Sequence, residues 1–401
     1  MSKIIGAVEI GTSYSKALIG EVSEDRSLNI VGKSLRRNEG MRKGEIVDFR
    51  KTASSVHSAI EDAEKMSGTT VDSIYLAQTG SHLKGTCLRG SANVASPDGR
   101  VSLADLKRAA EEAKRKQPPP GRSYVHHVRM PIRLDGRSVE DPVGMMGQKV
   151  ELAYWSIEGD ESPIRMNLDL AYQYGLDVDD LILSSIASAT LVAGPDKRRA
   201  GVLVVDIGAG VTDIVLYLGG NVVFTAVIPV GGDHLTGDLA MGLRVLEPYA
   251  EELKLEYGKA QADSSDSDQD LWIIGNKTIG DRTIPRKAIA DIIHVRVVEL
   301  FEIISKELSC LLDAKELGAG VLLTGGTSRL PGIEQLASKV LGLPVTKGSF
   351  PAGLGHELAQ PENSTVLGLL HYGLEDHRLP GEQNTQSSTG LFKKIGGFLG
   401  I

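Results

Sequence analysis

Cysteine is nearly missing from this chain. Cys87 and Cys310 stand far apart without metal-ligand spacing, so neither a disulfide framework nor a zinc site is expected. Both read as packing residues of a reduced compartment. Aromatic residues amount to only 4%. No apolar run approaches the roughly 20 residues needed to cross a bilayer. The run Ile4-Ile5 is cut by Gly6 and Glu9, which does not read as a signal peptide. Basic excess is missing too. The formal charge is −8, which argues against nucleic acid as a partner. What remains is 401 residues, 41% of them apolar, enough for more than one ordinary globular core.

The chain is organised around Val204-Val205-Asp206-Ile207-Gly208-Ala209-Gly210-Val211-Thr212-Asp213-Ile214. An apolar strand runs into an acid, then a glycine turn, then Thr-Asp and a second apolar strand. Glycines in such a turn let backbone N–H groups approach a phosphate closely. An acid at the strand end can hold Mg²⁺ through water. A plain hairpin would read the same way, but the pattern occurs twice. Val8-Glu9-Ile10-Gly11-Thr12-Ser13-Tyr14-Ser15-Lys16-Ala17 again sets an acid before a Gly and hydroxyl turn between apolar strands. Two phosphate hairpins about two hundred residues apart imply a duplicated domain with a nucleotide between its halves.

These hairpins resemble the phosphate-1 and phosphate-2 loops of the actin, Hsp70 and sugar-kinase superfamily. A third signature, Leu322-Leu323-Thr324-Gly325-Gly326-Thr327, resembles its adenosine turn. Within that superfamily the chain resembles bacterial division protein FtsA over almost its full length. Carrying blocks are Gly40-Met41-Arg42-Lys43-Gly44, Asp141-Pro142-Val143-Gly144-Met145, Ile228-Pro229-Val230-Gly231-Gly232-Asp233-His234-Leu235, Ala250-Glu251-Glu252-Leu253-Lys254 and Val366-Leu367-Gly368-Leu369-Leu370. The resemblance implies an α/β, actin-like ATPase fold. Two ribonuclease-H-like halves would carry an FtsA-type 1C insertion in place of actin subdomain 1B.

The expected boundaries follow from composition and resemblance together. Subdomain 1A takes 1–83 and 164–195, with 1C at 84–163. Subdomain 2A takes 196–230 and 315–378, with 2B at 231–314. A flexible tether at 379–390 leads to an amphipathic segment at 391–401. Within them, a helix is expected at 51–67, a capped helix from Ser102, strands at Tyr124–Leu134 and Lys149–Trp155, and a polar linker at Pro195–Arg199. His126 and His127 read as strand residues. A polar surface loop is expected at 259–270. A long helix is expected from Pro285 to about residue 312.

The nucleotide-binding set is Gly11, Thr12, Ser13, Lys16, Gly208, Gly210, Thr212, Gly231, Gly232, Asp233, Glu251, Lys254, Gly325 and Gly326. Free N–H groups at the helix start after Gly231-Gly232-Asp233 would make an anion site. The resemblance maps Lys16 to a β- or γ-phosphate contact, and Glu251 and Lys254 to the adenosine. Glu9 and Asp206 are the candidates for positioning Mg²⁺ through water. Glu9 stands where the resembled loops usually carry Asp, and Ala209 where they usually carry Gly. No general base stands out, so at most weak ATPase activity is expected.

The segment Leu391-Phe392-Lys393-Lys394-Ile395-Gly396-Gly397-Phe398-Leu399-Gly400-Ile401 would, as a helix, gather Leu391, Ile395, Phe398 and Leu399 on one face beside Phe392. Ile401 and the Lys393-Lys394 pair complete a membrane-surface reading. At about 16 Å such a helix cannot span a bilayer. The implied protein is an ATP–Mg²⁺-binding division adaptor on the inner face of the cell membrane at the division site. It would hold the FtsZ C-terminal peptide on 2B, where Arg286, Arg296 and Glu299 are the candidates. It would associate with itself in filaments, meet other division proteins through 1C, and bind anionic lipid. A pilus-assembly-type module of the same fold and an ATP-dependent small-molecule kinase are the competing readings.

Overall fold

A computed structural model describes residues 3–24, 27–263, 266, 269–275, 280–309 and 317–375. Two five-stranded sheets share one topology. The first runs, in space, Asp177–Leu183, Ser73–Gln78, Lys3–Ile10, Tyr14–Val22, Leu28–Arg37. The second runs Val345–Lys347, Val321–Thr324, Val202–Ile207, Thr212–Leu218, Asn221–Ile228. In each, the first three strands in sequence form an antiparallel meander, and two later strands add in parallel on the far side. The duplication suggested by the hairpins therefore extends to whole sheets.

Burial explains the sequence pattern of the central strands. Val202–Ile207 is buried along its whole length, so it reads as a continuous apolar run rather than an alternation. Val202 and Val204 join the core shared with the first half, while Leu203, Val205 and Ile207 face the core of the second. The helix Phe49–Ser67 covers the first sheet. Asp48 caps it, and Gly68 ends it with a left-handed φ of 68°. Its face of Val56, Ala59, Ile60 and Ala63 is buried.

Between the strands of the first half lies a separate layer. Arg137–Val139, Ile132–Leu134, Lys149–Asp160 and Lys84–Asn93 form a sheet in that order, with Arg122–Arg129 also pairing to Lys149–Asp160. The helix Leu103–Lys114 closes its own small core around Leu106, Ala109, Ala113 and Leu152. Ser102 and Asp105 form a reciprocal capping box. His126 and His127 both lie on Arg122–Arg129. His126 shares a 2.7 Å hydrogen bond with the Tyr372 hydroxyl, and His127 one of 2.7 Å with Ser156. Burial, helped by the charge of Lys114, pulls His127 down to about 4.

Several local expectations need correction. The expected strand Tyr124–Leu134 is broken after Arg129, because Pro131 has no N–H to give the ladder. The polar stretch 195–199 is a short helix, Pro195–Ala200, with proline at its first position and the Arg198 side chain donating to the Ala193 and Thr190 carbonyls. Pro285 ends the strand Arg282–Pro285, and the long helix is Lys287–Leu308. The loop expected on the surface at 259–270 has an inward anchor. Asp266 is 1% exposed and paired with Lys259 and Arg286. The tether, the tail 391–401 and Cys310 lie outside the described residues.

The inserted layer also touches the second half. The Trp155 indole N–H donates to the Thr225 hydroxyl at 3.0 Å, and the indole lies so close to Gly85 that a Cβ there would sit 2.4 Å from the ring. Trp155→Phe removes the donor together with part of the bicycle that packs on Gly85, so its loss exceeds the roughly 1 kcal/mol of the hydrogen bond itself. Urea unfolding of that variant, of Thr225→Val and of the double variant should give a coupling energy of about 1 kcal/mol; purely additive losses would show that the bond contributes nothing.

Candidate nucleotide site between the halves

The duplicated register sets the site. Glu9 lies opposite Lys16 in the first hairpin, and Asp206 lies opposite Asp213 in the second. The turns close alike, with Gly11 N–H donating to Tyr14 O at 3.0 Å and Gly208 N–H to Val211 O at 2.9 Å. Opposed residues of an antiparallel pair project to the same side, so one hairpin presents a carboxylate with an ammonium and the other presents two carboxylates. Like charges placed opposite one another weaken a sheet, which marks the second hairpin as a site rather than a packing element.

The two turns meet. A Cβ on Gly210 would lie 2.4 Å from Thr12 Oγ1 and 3.0 Å from Lys43 N, and one on Gly231 would lie 2.5 Å from Ala209 O. Gly44 donates its N–H to Thr12 Oγ1 at 3.1 Å, bringing the Gly40–Gly44 segment over both turns. Neither Gly208 nor Gly210 has a positive φ, and Ala209 does not either. These glycines answer to close backbone approach, and alanine at 209 is unstrained.

Lys16 is nearly buried. Its ammonium donates to both Glu9 oxygens at 3.1 Å and to the Glu362 carbonyl. Asp206 accepts from Thr365 at 3.0 Å, and Asp213 accepts from Thr79 of the other half at 2.7 Å. Burial, then the charge of Glu9, pushes Asp206 up to about 6, against the opposing Thr365 bond and Lys16. Burial and the neighbouring Asp206 raise Asp213 well above the usual carboxylate range. Gly325 has φ 82°, and a Cβ there would sit 2.3 Å from Asp206 Oδ1, so the third glycine turn is fitted against the acid.

Other expected residues are placed differently. The N–H groups after Gly231 are not free: Gly232 donates to Gly208 O at 3.0 Å and Asp233 to Ala209 O at 2.8 Å. The helix start is bound to the turn, which corrects its reading as an open anion site. Thr212 is fully buried and its hydroxyl donates to Val230 O at 2.8 Å. Lys254 donates to Gly232 O at 3.1 Å and to Thr236 at 2.9 Å, and pairs with Glu251 at 2.6 Å, joining two helices at the rim. The backbone of Ser13 accepts from Asn38 at 2.8 Å. Gly326 opens the short turn Gly326–Arg329, whose Thr327 hydroxyl donates to Gly208 O at 2.9 Å.

On the second half, Arg296 is held by both oxygens of Asp238, at 2.7 and 2.9 Å, and by Glu299 at 2.5 Å. Arg286, one of the three candidates for the partner peptide, is turned inward. It pairs inward with Asp266 at 3.2 Å and lies over the Tyr257 ring. Sequence reasoning missed Asp213 and Thr79 as site residues. Asp213 was legible by superposing the repeats, since it occupies the place of Lys16. Thr79 carries no local signal, because only the packing of the two halves brings it to Asp213.

Two ribonuclease-H-like halves, with two glycine hairpins and a third glycine turn converging on buried carboxylates, make up the actin-like ATPase fold, here with an added layer in the first half. The chain belongs to the cell division protein FtsA family. The profile of "Cell division protein FtsA" matches residues 203–368, and that of the "SHS2 domain inserted in FTSA" matches 80–157. The chain is 34% identical to cell division protein FtsA of Pseudomonas aeruginosa, covering 93% of this chain and 90% of that protein. It is 34% identical to FtsA of Neisseria meningitidis, covering 95% and 93%. Among solved structures, the PilM-PilN type IV pilus biogenesis complex superposes with TM-score 0.64 at 20% identity, over 93% of this chain and 99% of that one. MreB5 of Spiroplasma citri bound to ADP gives 0.54 at 14%, over 91% and 94%. The MamK double helical filament gives 0.51 at 11%, over 93% and 99%. At these identities the three structures share the fold.

Proposed function

We propose that this protein binds ATP with Mg²⁺ between its halves and anchors the FtsZ ring to the cytoplasmic face of the cell membrane at the division site. The observation that carries the nucleotide reading is the convergence of the two hairpin turns, Thr12 against Gly210, on Glu9, Lys16 and Asp206. One solved relative in fold is bound to ADP, which supports a nucleotide in the same cleft here. The residues suit the metal. Asp206, raised to about 6 by burial and by Glu9, gains most from a nearby divalent cation. Among the described residues no three acidic, His or Cys side chains are grouped to hold a metal directly, and Mg²⁺ is commonly held by one or two carboxylates with water and phosphates. Glu9 and Asp206 would hold it in that way. The bound ion supplies charge neutralisation of the phosphates. Lys16 would move from Glu9 toward a phosphate, and the backbone of Gly11, Thr12, Ser13, Gly208 and Gly210 would line the phosphates. Gly325, Gly326, Glu251 and Lys254 would border the adenosine.

The subdomain boundaries given from the sequence serve as the working division. Subdomain 2B, including Arg296 and Glu299, would take the FtsZ C-terminal peptide, and 1C would meet other division proteins. Self-association into filaments is supported by membership of the family and by the filament formed by a fold relative. Membrane attachment rests on residues 391–401. Among the described residues no helix is long and apolar enough to cross a membrane. Six apolar side chains contribute about 10 kcal/mol gross. Ordering costs of about 1–2 kcal/mol per residue largely offset this. One tail therefore binds weakly, and a filament of tails binds strongly through effective concentration.

Co-sedimentation with vesicles containing phosphatidylglycerol, in Mg-ATP, tests the anchor. The full chain is expected to pellet, and a chain ending at Gly390 to lose at least about tenfold in affinity. Equal pelleting of both would remove the anchor and bring forward the pilus-assembly-type reading, in which the partner peptide comes from a pilus protein.

A further inference from the structure

In the first half, beside the first hairpin, where Arg37 lies opposite Tyr14, the end of Leu28–Arg37 and the start of Phe49–Ser67 border an open groove of about 510 Å³. Its lining is Arg36, Arg37, Glu39, Lys51, Ser54 and Ser58, with Ser55 at its base. A groove with three cations and one acid is unexpected on a protein whose formal charge is −8.

The walls are fixed. Asn38 N–H donates to Ser13 O at 2.8 Å, and Gly40 N–H to Asn38 Oδ1 at 3.0 Å. The Gly40 carbonyl accepts from Val47 and Asp48 at 2.8 and 3.0 Å. A Cβ on Gly40 would lie 2.4 Å from Asp48 O, so the two walls are in backbone contact. Asp62 holds the Arg36 guanidinium in place. The remaining groups are less committed. Lys51 is 3.9 Å from Glu39, a loose pair at the rim. No hydrogen bond or ion pair engages the side chains of Arg37, Ser54 or Ser58 among the described residues.

We infer that this groove binds a phosphate-bearing anion. A guanidinium presents a planar fork of donors that matches phosphate oxygens, an ammonium adds a point charge, and serine hydroxyls on successive turns of one helix donate to the remaining oxygens. Rigid walls lower the ordering cost on binding. A lipid headgroup and a free phosphate compound share this chemistry.

The full chain would be tested beside Arg37→Glu/Lys51→Glu and Ser54→Ala/Ser58→Ala, all at exposed or half-exposed positions that are not among the residues assigned to the nucleotide. Calorimetry with inorganic pyrophosphate, under saturating Mg-ADP, forms one arm. Binding to vesicles with and without phosphatidylglycerol forms the other. The charge-reversed variant is expected to lose about fivefold or more per residue in one arm, with ADP affinity unchanged. The serine variant is expected to lose less in the same arm. Loss confined to phosphatidylglycerol vesicles identifies a headgroup, and loss confined to pyrophosphate identifies a free phosphate. Wild-type behaviour of both variants in both arms would overturn the site, and would leave the nucleotide and tail readings standing.

Discussion

Gly368→Ala is expected to destabilise the chain by about 3 kcal/mol. Gly368 lies in the helix Ser364–Leu374 where it crosses Ser184–Val192, and an added Cβ would fall 1.8 Å from the Ala187 carbonyl oxygen and 3.2 Å from Ser188 N. Both neighbours are backbone, so no side-chain rotation relieves the clash and the helices must separate. The crossing is close because Ser184–Val192 brings Ala187 and Ser188 to the contact, small residues that admit backbone approach. The separation also reaches the site. Thr365 on the same helix donates to Asp206, and Ser364 is bonded to Thr324 beside the Gly325 turn. A melting temperature lowered by roughly 4 °C should therefore be accompanied by weaker ADP binding. An unchanged melt would mean that the crossing relaxes at no cost.

Asp206→Asn is expected to act in opposite directions on stability and on ligand. Burial and Glu9 raise the Asp206 carboxyl to about 6. An acid raised in the folded state supports folding fully below its unfolded value near 3.8, and that support is lost as pH rises through about 6. At pH 7.5 the ionised carboxylate is a burden on the order of 2–3 kcal/mol, at 1.36 kcal/mol per pKa unit. Asparagine removes that burden and can still accept from Thr365. Melts of the nucleotide-free variant should thus lie above wild type at pH 7.5, with the gap narrowing as pH falls from about 6 toward about 4. Asp213 shifts in the same direction and adds to the effect in the wild type. In the same protein, the gain in ATP affinity on adding Mg²⁺ should fall by about tenfold or more. A variant that melts with wild type at pH 7.5, or keeps the full Mg²⁺ effect, would detach Asp206 from the role given to it.

Much of the architecture was legible in local pattern. The apolar run Val202–Val205 and its echo at Ile4–Val8 announced buried central strands, and their acid and glycine endings announced the turns. The Ser102 and Asp105 spacing announced a capped helix, and the reciprocal bonds are there. These features are local because a strand, a turn or a cap is decided within a few residues. The tertiary structure decided what could not be local. It bound the N–H groups after Gly231 to the second hairpin, turned Arg286 inward onto a buried Asp266, and placed Thr79 of one half on Asp213 of the other. It also gave the glycines their reason. At 210, 231 and 368 what matters is the backbone that arrives from another segment, and one segment's sequence carries no record of that approach.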